Sequence, residues 1–279
     1  MIDPRSEVLT SVNSLAEKID SGSAPVILDI SDDLSAKPLD RPVIPGAIAV
    51  CLASDISGPA TKEGGRRPLP EADILQSTLR QFGISSDSDV VVYDSATGAQ
   101  AGRAWWTLRW AGHNKVRVLD GGFKAWAGAG NPSQIQPTSP PGNGDIIVSP
   151  GCMPTIDASE AASIACSGVL LDARGKAAYE GDPEKPDTGH IPGAVCAPSA
   201  ETVTADGFIK TSEDLEAHFR SLGIGNSEPA GVYCGSGNAA AHELVALYAA
   251  GFSAALYVGS WSAWTGDPTR PVAQGPQRD

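Results

Sequence analysis

The chain has only five cysteines among 279 residues, two methionines, 6% aromatic side chains and far fewer bases than acids. Each shortage excludes something. Cys51, Cys152, Cys166, Cys196 and Cys234 are odd in number and widely spaced, with no CxxC pair, so they suggest neither a disulfide framework nor a zinc site. Reduced cytoplasmic thiols are the simplest reading. Twenty Lys and Arg against 33 Asp and Glu leave a net charge of −13, without the basic stripe that nucleic-acid binding needs. An anionic substrate must then be held by a local positive site working against the overall field. No apolar run approaches the ~18 residues of a membrane span. The opening MIDPRSEVLTSVNSLAEKID carries acids early and lacks the apolar stretch of a secretory signal. What is present is an ordinary globular balance, 41% apolar and 19% charged, in a chain long enough for two domains.

The chain repeats itself. Ile27-Leu28-Asp29-Ile30, Ile44-Pro45-Gly46-Ala47, Val91-Val92-Tyr93-Asp94 and Leu119-Asp120-Gly121-Gly122 through Trp126 return in the same order in the second half. Their counterparts are Leu170-Leu171-Asp172-Ala173, Ile191-Pro192-Gly193-Ala194, Gly231-Val232-Tyr233-Cys234 and Gly259-Ser260-Trp261 through Trp264. The shift stays near about 140 residues, the mark of a tandem duplication. Asn131 to Gly144 holds four prolines and two glycines and reads as an extended linker. The expected division is a first domain over 1–130, a linker over 131–152 and a second domain over 153–279. The Pro- and Gly-containing tail after Arg270 is expected to fray.

Within each copy, β-branched runs alternate with helical patterns. Residues 26–28, 90–92, 116–118, 168–171, 231–233 and 255–258 read as strands. Glu71 to Phe82 and Ser212 to Leu222 read as helices, the latter capped by Thr211 or Ser212 and stopped by Gly223. Such alternation implies α/β domains with parallel sheets, whose ligands sit beyond the strands' carboxyl ends. That directs attention to Cys234-Gly235-Ser236-Gly237-Asn238-Ala239, a six-residue loop feeding a helix whose Ala241, Leu244, Val245 and Tyr248 share one face. Glycines let successive N–H groups turn inward into an anion-binding concavity, and the helix start adds its own free N–H groups. That setting favours a nucleophilic thiolate and would also hold a persulfide anion. A strand-end cysteine is ordinarily a small core residue, and that reading is kept for the other four cysteines.

With these motifs, the chain resembles the two-domain rhodanese-type sulfurtransferases, the family of thiosulfate and 3-mercaptopyruvate sulfurtransferases. Asp172-Ala173-Arg174, Gly189-His190-Ile191-Pro192-Gly193-Ala194, Tyr233-Cys234-Gly235-Ser236-Gly237, Gly259-Ser260-Trp261-Ser262-Ala263-Trp264 and Arg103-Ala104-Trp105-Trp106 carry the likeness. It implies two tandem rhodanese-like α/β domains, each a parallel five-stranded sheet flanked by helices. It also implies that only the second is catalytic, since Asp94 stands at the position of Cys234 and a carboxylate cannot carry a sulfane sulfur. A Cys-Gly-Ser-Gly loop resembles the 3-mercaptopyruvate type, and the absence of Lys or Arg from Gly235 to Ala240 favours a monoanionic donor over thiosulfate. The family loop usually continues Val-Thr; here Asn238 and Ala239 follow, and Asn238 is a candidate replacement for the missing hydroxyl. The arginine that mercaptopyruvate enzymes carry before the Ala177-Ala178-Tyr179 aromatic is an alanine, and Lys185 is the basic position kept downstream. The histidine that often precedes the first Pro-Gly-Ala is absent.

The expected chemistry is sulfur transfer through a Cys234 persulfide to cyanide, a thiol or a reduced protein dithiol, without cofactor or metal. Gly235, Gly237, Asn238, Ala239 and Ala240 are expected to hold the sulfur by their N–H groups, with Ser236 either donating to it or capping the turn. Arg66 and Arg67 either face the second domain's pocket or stand as a solvated pair. Arg174 reads as an ion-pair partner, His190 as a turn residue, His242 as too far along its helix to serve Cys234, and the tryptophans as core. The alternatives are a persulfide relay protein with little small-molecule turnover, a cysteine phosphatase, and, as the resemblance also allows, a thiosulfate-specific rhodanese, the donor otherwise expected being 3-mercaptopyruvate or thiosulfate. The second needs an arginine clamp that the six residues after Cys234 lack.

Overall fold

Runs of β-branched residues without polar alternation belong in the middle of a parallel sheet, covered on both faces. The structure, a computed structural model that describes residues 3–32, 41–185, 187–225 and 228–278, puts them there. The first half contains β1 (Leu9–Thr10), β2 (Val26–Ser31), β3 (Ile48–Cys51), β4 (Val90–Tyr93) and β5 (Val116–Leu119). The second contains β6 (Thr155–Ile156), β7 (Val169–Asp172), β8 (Val195–Cys196), β9 (Ala230–Tyr233) and β10 (Ala255–Tyr257). Their orders, β1-β5-β4-β2-β3 and β6-β10-β9-β7-β8, match strand for strand, and every pair is parallel. All six expected strands form, and the two expected helices occupy Ala72–Gln81 and Ser212–Ser221. Thr211 is the cap, its Oγ1 accepting the Asp214 N–H at 3.2 Å. The missed strands are mostly two-residue edges, too short to show any period.

Alternate side chains on each sheet separate two layers. Ile27, Val91 and Leu119 pack outward with Val12, Leu15 and Trp126; Leu170, Tyr233 and Tyr257 do so with Ala161 and Trp264. Leu28, Val92, Leu171, Val232 and Leu256 face inward and share one core spanning both halves. Its centre is the pairing of helix Ala99–Trp110 with helix Asn238–Ala249, where Trp105 meets Tyr248 edge-on at 5.6 Å. The halves are thus joined by buried apolar surface as well as by chain.

The segment after Asn131 is laid along the first half. Gln134 pairs with Val43, the Thr138 N–H donates to the Ala47 carbonyl at 2.7 Å, and the Ile146 N–H to that of Ile84 at 3.2 Å. The tail is not frayed. Ala273 pairs with His190, the Gly275 N–H donates to the Glu180 carbonyl at 2.8 Å, and the Arg278 guanidinium bonds the Gly193 carbonyl. Backbone groups that find partners hold an irregular segment regardless of its composition. The cysteines also depart from expectation. Cys152 and Cys166 are exposed, Cys51 and Cys196 half-buried, and only Cys234 is buried. Cys51 and Cys196 end the edge strands β3 and β8, where cover is incomplete. No helix among the described residues is long and apolar enough to cross a membrane.

Glu243 lies wholly buried in helix Asn238–Ala249, and neither carboxylate oxygen has a hydrogen-bond partner. Burial, reinforced by Asp172 and Glu201, pushes its carboxyl well above the ordinary carboxylate range. The folded chain therefore keeps a proton that the unfolded chain releases. Stability is full below the ordinary carboxylate range and falls by about 1.4 kcal/mol per pH unit as pH rises toward the raised value. Glu243→Met should raise the melting temperature at pH 8 by about 4 °C or more and change it little at pH 4. Equal shifts at both pH values in a thermal melt would assign the effect to packing instead.

Candidate active site

Strand β9 ends at Tyr233 and delivers Cys234 to the carboxyl edge of the second sheet. The loop is shorter than expected: Cys234 to Gly237 form it, and Asn238, Ala239 and Ala240 are already the first helical turn. Gly237 sits at φ 87°, a left-handed conformation that only glycine adopts freely. A Cβ there would stand 2.6 Å from Nη1 of Arg103. Cys234 is 2% exposed, and its Sγ accepts the Gly237 N–H at 3.1 Å. Its own N–H donates to Ser260 Oγ at 3.2 Å, and its carbonyl accepts the Trp261 N–H at 2.9 Å. The Gly235 carbonyl accepts the Ser262 N–H at 3.1 Å. The sulfur is held in a loop pinned on both sides.

Ser260 is a residue that sequence reasoning missed. It is fully buried and, at φ 51°, is the only non-glycine among the described residues with positive φ. Such strain persists only where the surroundings impose it. Its hydroxyl donates to the Tyr257 carbonyl at 2.9 Å while accepting the Cys234 N–H. The first half has Gly122 at the matching place, at φ 58°, with the Phe123 N–H on the Asp94 carbonyl. The signal was the contrast between Gly121-Gly122 and Gly259-Ser260 in the repeat. A position that glycine fills without strain carries a hydroxyl in the cysteine-bearing copy.

Arg103 was also missed as a site residue. It projects from the first half's helix Ala99–Trp110 and is fully buried. Burial pushes its guanidinium down to about 10, and Cys234 pulls it back upward. Nη2 donates to the Arg67 carbonyl at 2.9 Å, while Nε and Nη1 have no hydrogen-bond partner. A buried cation with unspent donors thus stands beside the loop. The repeat held a clue here too. At the same shift as Gly98 to Gly237, Arg103 corresponds to His242, which crosses the opposite way. A Cβ on Gly98 would lie 2.7 Å from His242 Nε2. His242 therefore serves the first half's loop and not Cys234, as its distance along the helix implied. Burial keeps its pKa below the ordinary value.

The first half's loop shows what such a cup binds. Asp94 Oδ1 accepts the N–H groups of Ala96 and Gly98 at 2.9 and 3.0 Å, and Oδ2 those of Gln100 and Ala101 at 3.1 and 3.0 Å. Four amides converge on one anion. A cavity of about 410 Å³ lies over this loop, lined by Asp94, Lys124, Val203 and His242 among others.

The other expected residues divide. Ser236 is half-buried in the loop; the hydroxyl bonded to Cys234 is that of Ser260. Asn238 Oδ1 is buried and unpartnered. Arg66 is exposed, with Nη2 3.2 Å from where a Cβ on Gly235 would stand. Arg67 is not turned to the loop as a free cation: its side chain pairs with Asp32 at 3.3 Å and its carbonyl supports Arg103. Lys185 is 67% exposed and pairs with Asp182 at 3.1 Å within its own turn, so the neighbouring carboxylate claims it. Arg174 makes the expected ion pair with Asp172 and lies 4.4 Å over the Trp261 ring. That leaves Trp261 half-buried at the margin of the core, unlike Trp105, Trp106, Trp126 and Trp264. His190 Nδ1 bonds the Tyr179 carbonyl at 2.8 Å, as a turn residue should.

Comparison with known proteins agrees with this architecture. The rhodanese-like domain family matches residues 11–129 and 157–267. A Mycobacterium tuberculosis relative that carries the name thiosulfate sulfurtransferase SseB is 40% identical over 97% of this chain and 98% of its own. A Pseudomonas aeruginosa relative named 3-mercaptopyruvate sulfurtransferase is 42% identical over 83% and 84% of the two chains. The crystal structure of the 3-mercaptopyruvate sulfurtransferase SseA from Escherichia coli superposes with a TM-score of 0.74 at 28% identity, covering 91% of this chain and 98% of that one. The chain belongs to the rhodanese family and carries two rhodanese-like domains in tandem.

Proposed function

We propose that this protein is a sulfurtransferase that takes a sulfane sulfur from a small anionic donor and passes it on through a persulfide on Cys234. The Cys234 thiolate attacks the donor's outer sulfur. With 3-mercaptopyruvate, an S–S bond forms as the C–S bond breaks, and the electron pair leaves on carbon as pyruvate enolate, which takes up a proton. With thiosulfate, the S–S bond of the donor breaks and sulfite leaves. The Gly237 N–H and the first-turn amides receive the persulfide's negative charge, with Arg103 beside them. A nucleophile such as cyanide, a thiol or a reduced protein dithiol then attacks the outer sulfur and restores the thiolate.

The observation that carries this reading is the pair of equivalent loops. One closes four amides on the Asp94 carboxylate, and the other sets the Cys234 sulfur, 2% exposed, on the Gly237 amide. The first domain, residues 1–130, is then the partner that shapes the site without turning over, and residues 153–279 carry the chemistry. With no Lys or Arg from Gly235 to Ala240, 3-mercaptopyruvate is favoured over thiosulfate. The depth of the sulfur favours a small donor over direct hand-over from a protein, which places the relay reading second. The free cysteines fit a reducing compartment, the cytoplasm. Donor turnover by Cys234→Ser is the test.

A further inference from the structure

The cavity of about 410 Å³ over the first half's loop lies apart from the sulfur chemistry, and Cys234 is not among its walls. Its size is that of a small-molecule site, roughly 300–1,000 Å³. The second half closes it. There the Thr204 N–H donates to the Phe208 carbonyl at 2.8 Å and the Gly207 N–H to that of Thr204 at 2.9 Å, making a turn. The Phe208 ring rests on Gly121, where a Cβ would fall 2.8 Å from its Cε1. That contact brings Asp206, in the turn, and Lys124, near the start of helix Gly122–Gly128, onto the walls of one cavity.

Two of its carboxylates are already matched. Asp94 takes four amides. Asp120 takes the Ile209 N–H on Oδ1 and Arg5 on Oδ2, both at 2.8 Å. His242, Lys124 and Asp206 are not matched. His242 is 6% exposed and lines the cavity, yet its ring has no hydrogen-bond partner among the described residues. Burial lowers its pKa, so the ring is neutral near pH 7 and offers one donor and one acceptor. Lys124 and Asp206 are exposed and make no ion pair among the described residues. Each domain thus contributes one free charge, and Val118, Val203 and Ile209 add apolar wall.

We propose that this cavity is a second ligand site, for a free α-amino acid with an uncharged polar side chain, bound as its zwitterion between the two domains. Lys124 meets the carboxylate, Asp206 the ammonium, and the side chain runs along the apolar wall to His242. A carboxylic acid alone would leave Asp206 without a counter-charge, and an amine alone would leave Lys124 without one. A purely apolar side chain would leave the buried imidazole unsatisfied, which is costly. The amide cup itself is filled by Asp94, so the cavity is not set for a simple anion. The site stands independently of what Cys234 does.

Isothermal titration of the full chain with L-glutamine, L-asparagine, L-homoserine and L-serine tests the proposal. At least one should bind saturably, one per chain, with a Kd of about a millimolar or tighter. Three analogues of the best binder then separate its contacts: one lacking only the amino group, one lacking only the carboxylate, and one with an all-carbon side chain. Each should bind about tenfold more weakly or worse, as loss of a charge-assisted or buried hydrogen bond requires. Lys124→Glu and Asp206→Lys, both changes at exposed positions, should each weaken binding about tenfold or more, while Cys234→Ser should bind as the parent does. Absence of saturable binding, undiminished binding of any of the three analogues, undiminished binding in either charge variant, or loss of binding in Cys234→Ser overturns the proposal.

Discussion

Cys234→Ser will abolish sulfur transfer, lowering turnover of either donor by about a thousandfold or more, as expected when the nucleophile of a covalent mechanism is removed. The substitution is conservative in shape, and a serine hydroxyl can still accept the Gly237 N–H that now meets the sulfur at 3.1 Å. The loop stays pinned by Ser260 and Ser262, so the variant should fold and melt like the parent. What it loses is a thiolate: serine is far less acidic than cysteine and cannot form a persulfide. Exposed Cys166 provides the control. Cys166→Ser should turn over normally, and near-parental activity in Cys234→Ser would remove the mechanism.

Arg103→Met will cost about a hundredfold in kcat/KM at neutral pH, comparable to losing one donor of a preorganised anion site. The charge matters because it is buried: a cation out of water acts on a neighbouring anion through a low effective dielectric. Arg103 has two donor nitrogens without partners and only the Arg67 carbonyl to satisfy the third. Such a group burdens the fold, since buried charges lacking full compensation are unfavourable. Methionine is unbranched and of similar reach, so the variant should be no less stable than the parent. A readout independent of packing is the rate at which Cys234 gains a sulfur from donor in a single turnover, which should fall together with steady-state turnover when the buried cation beside the loop is gone. An unchanged rate of sulfur gain with unchanged turnover would reduce Arg103 to a structural residue.

The repeat made most of the fold legible. Valine-rich strands such as Val90–Tyr93, shared landmarks and a Cys-Gly-Ser-Gly turn at a strand end lead directly to two parallel sheets and to Cys234. Contacts between the copies were less legible, because they depend on how two helices cross. Arg103 is far from Cys234 in sequence and meets its loop only because helix Ala99–Trp110 packs on helix Asn238–Ala249. Lys185 shows the converse. Its position in the family pattern suggested anion binding, yet Asp182 three residues earlier captures it, and a local ion pair leaves no period or motif. The tail misled through composition: proline and glycine suggested fraying, but its backbone bonds to His190 and Glu180 hold it. Ser260 was within reach, since aligning the copies sets it against Gly122, where a positive φ is free of strain.

The most direct measurement is the mass of the Cys234 peptide after the protein is incubated with donor and no acceptor. The account predicts a gain of one sulfur atom on that peptide alone, reversed when cyanide is added. Full donor consumption with no added sulfur on Cys234, or the same gain on Cys152 or Cys166, would contradict it.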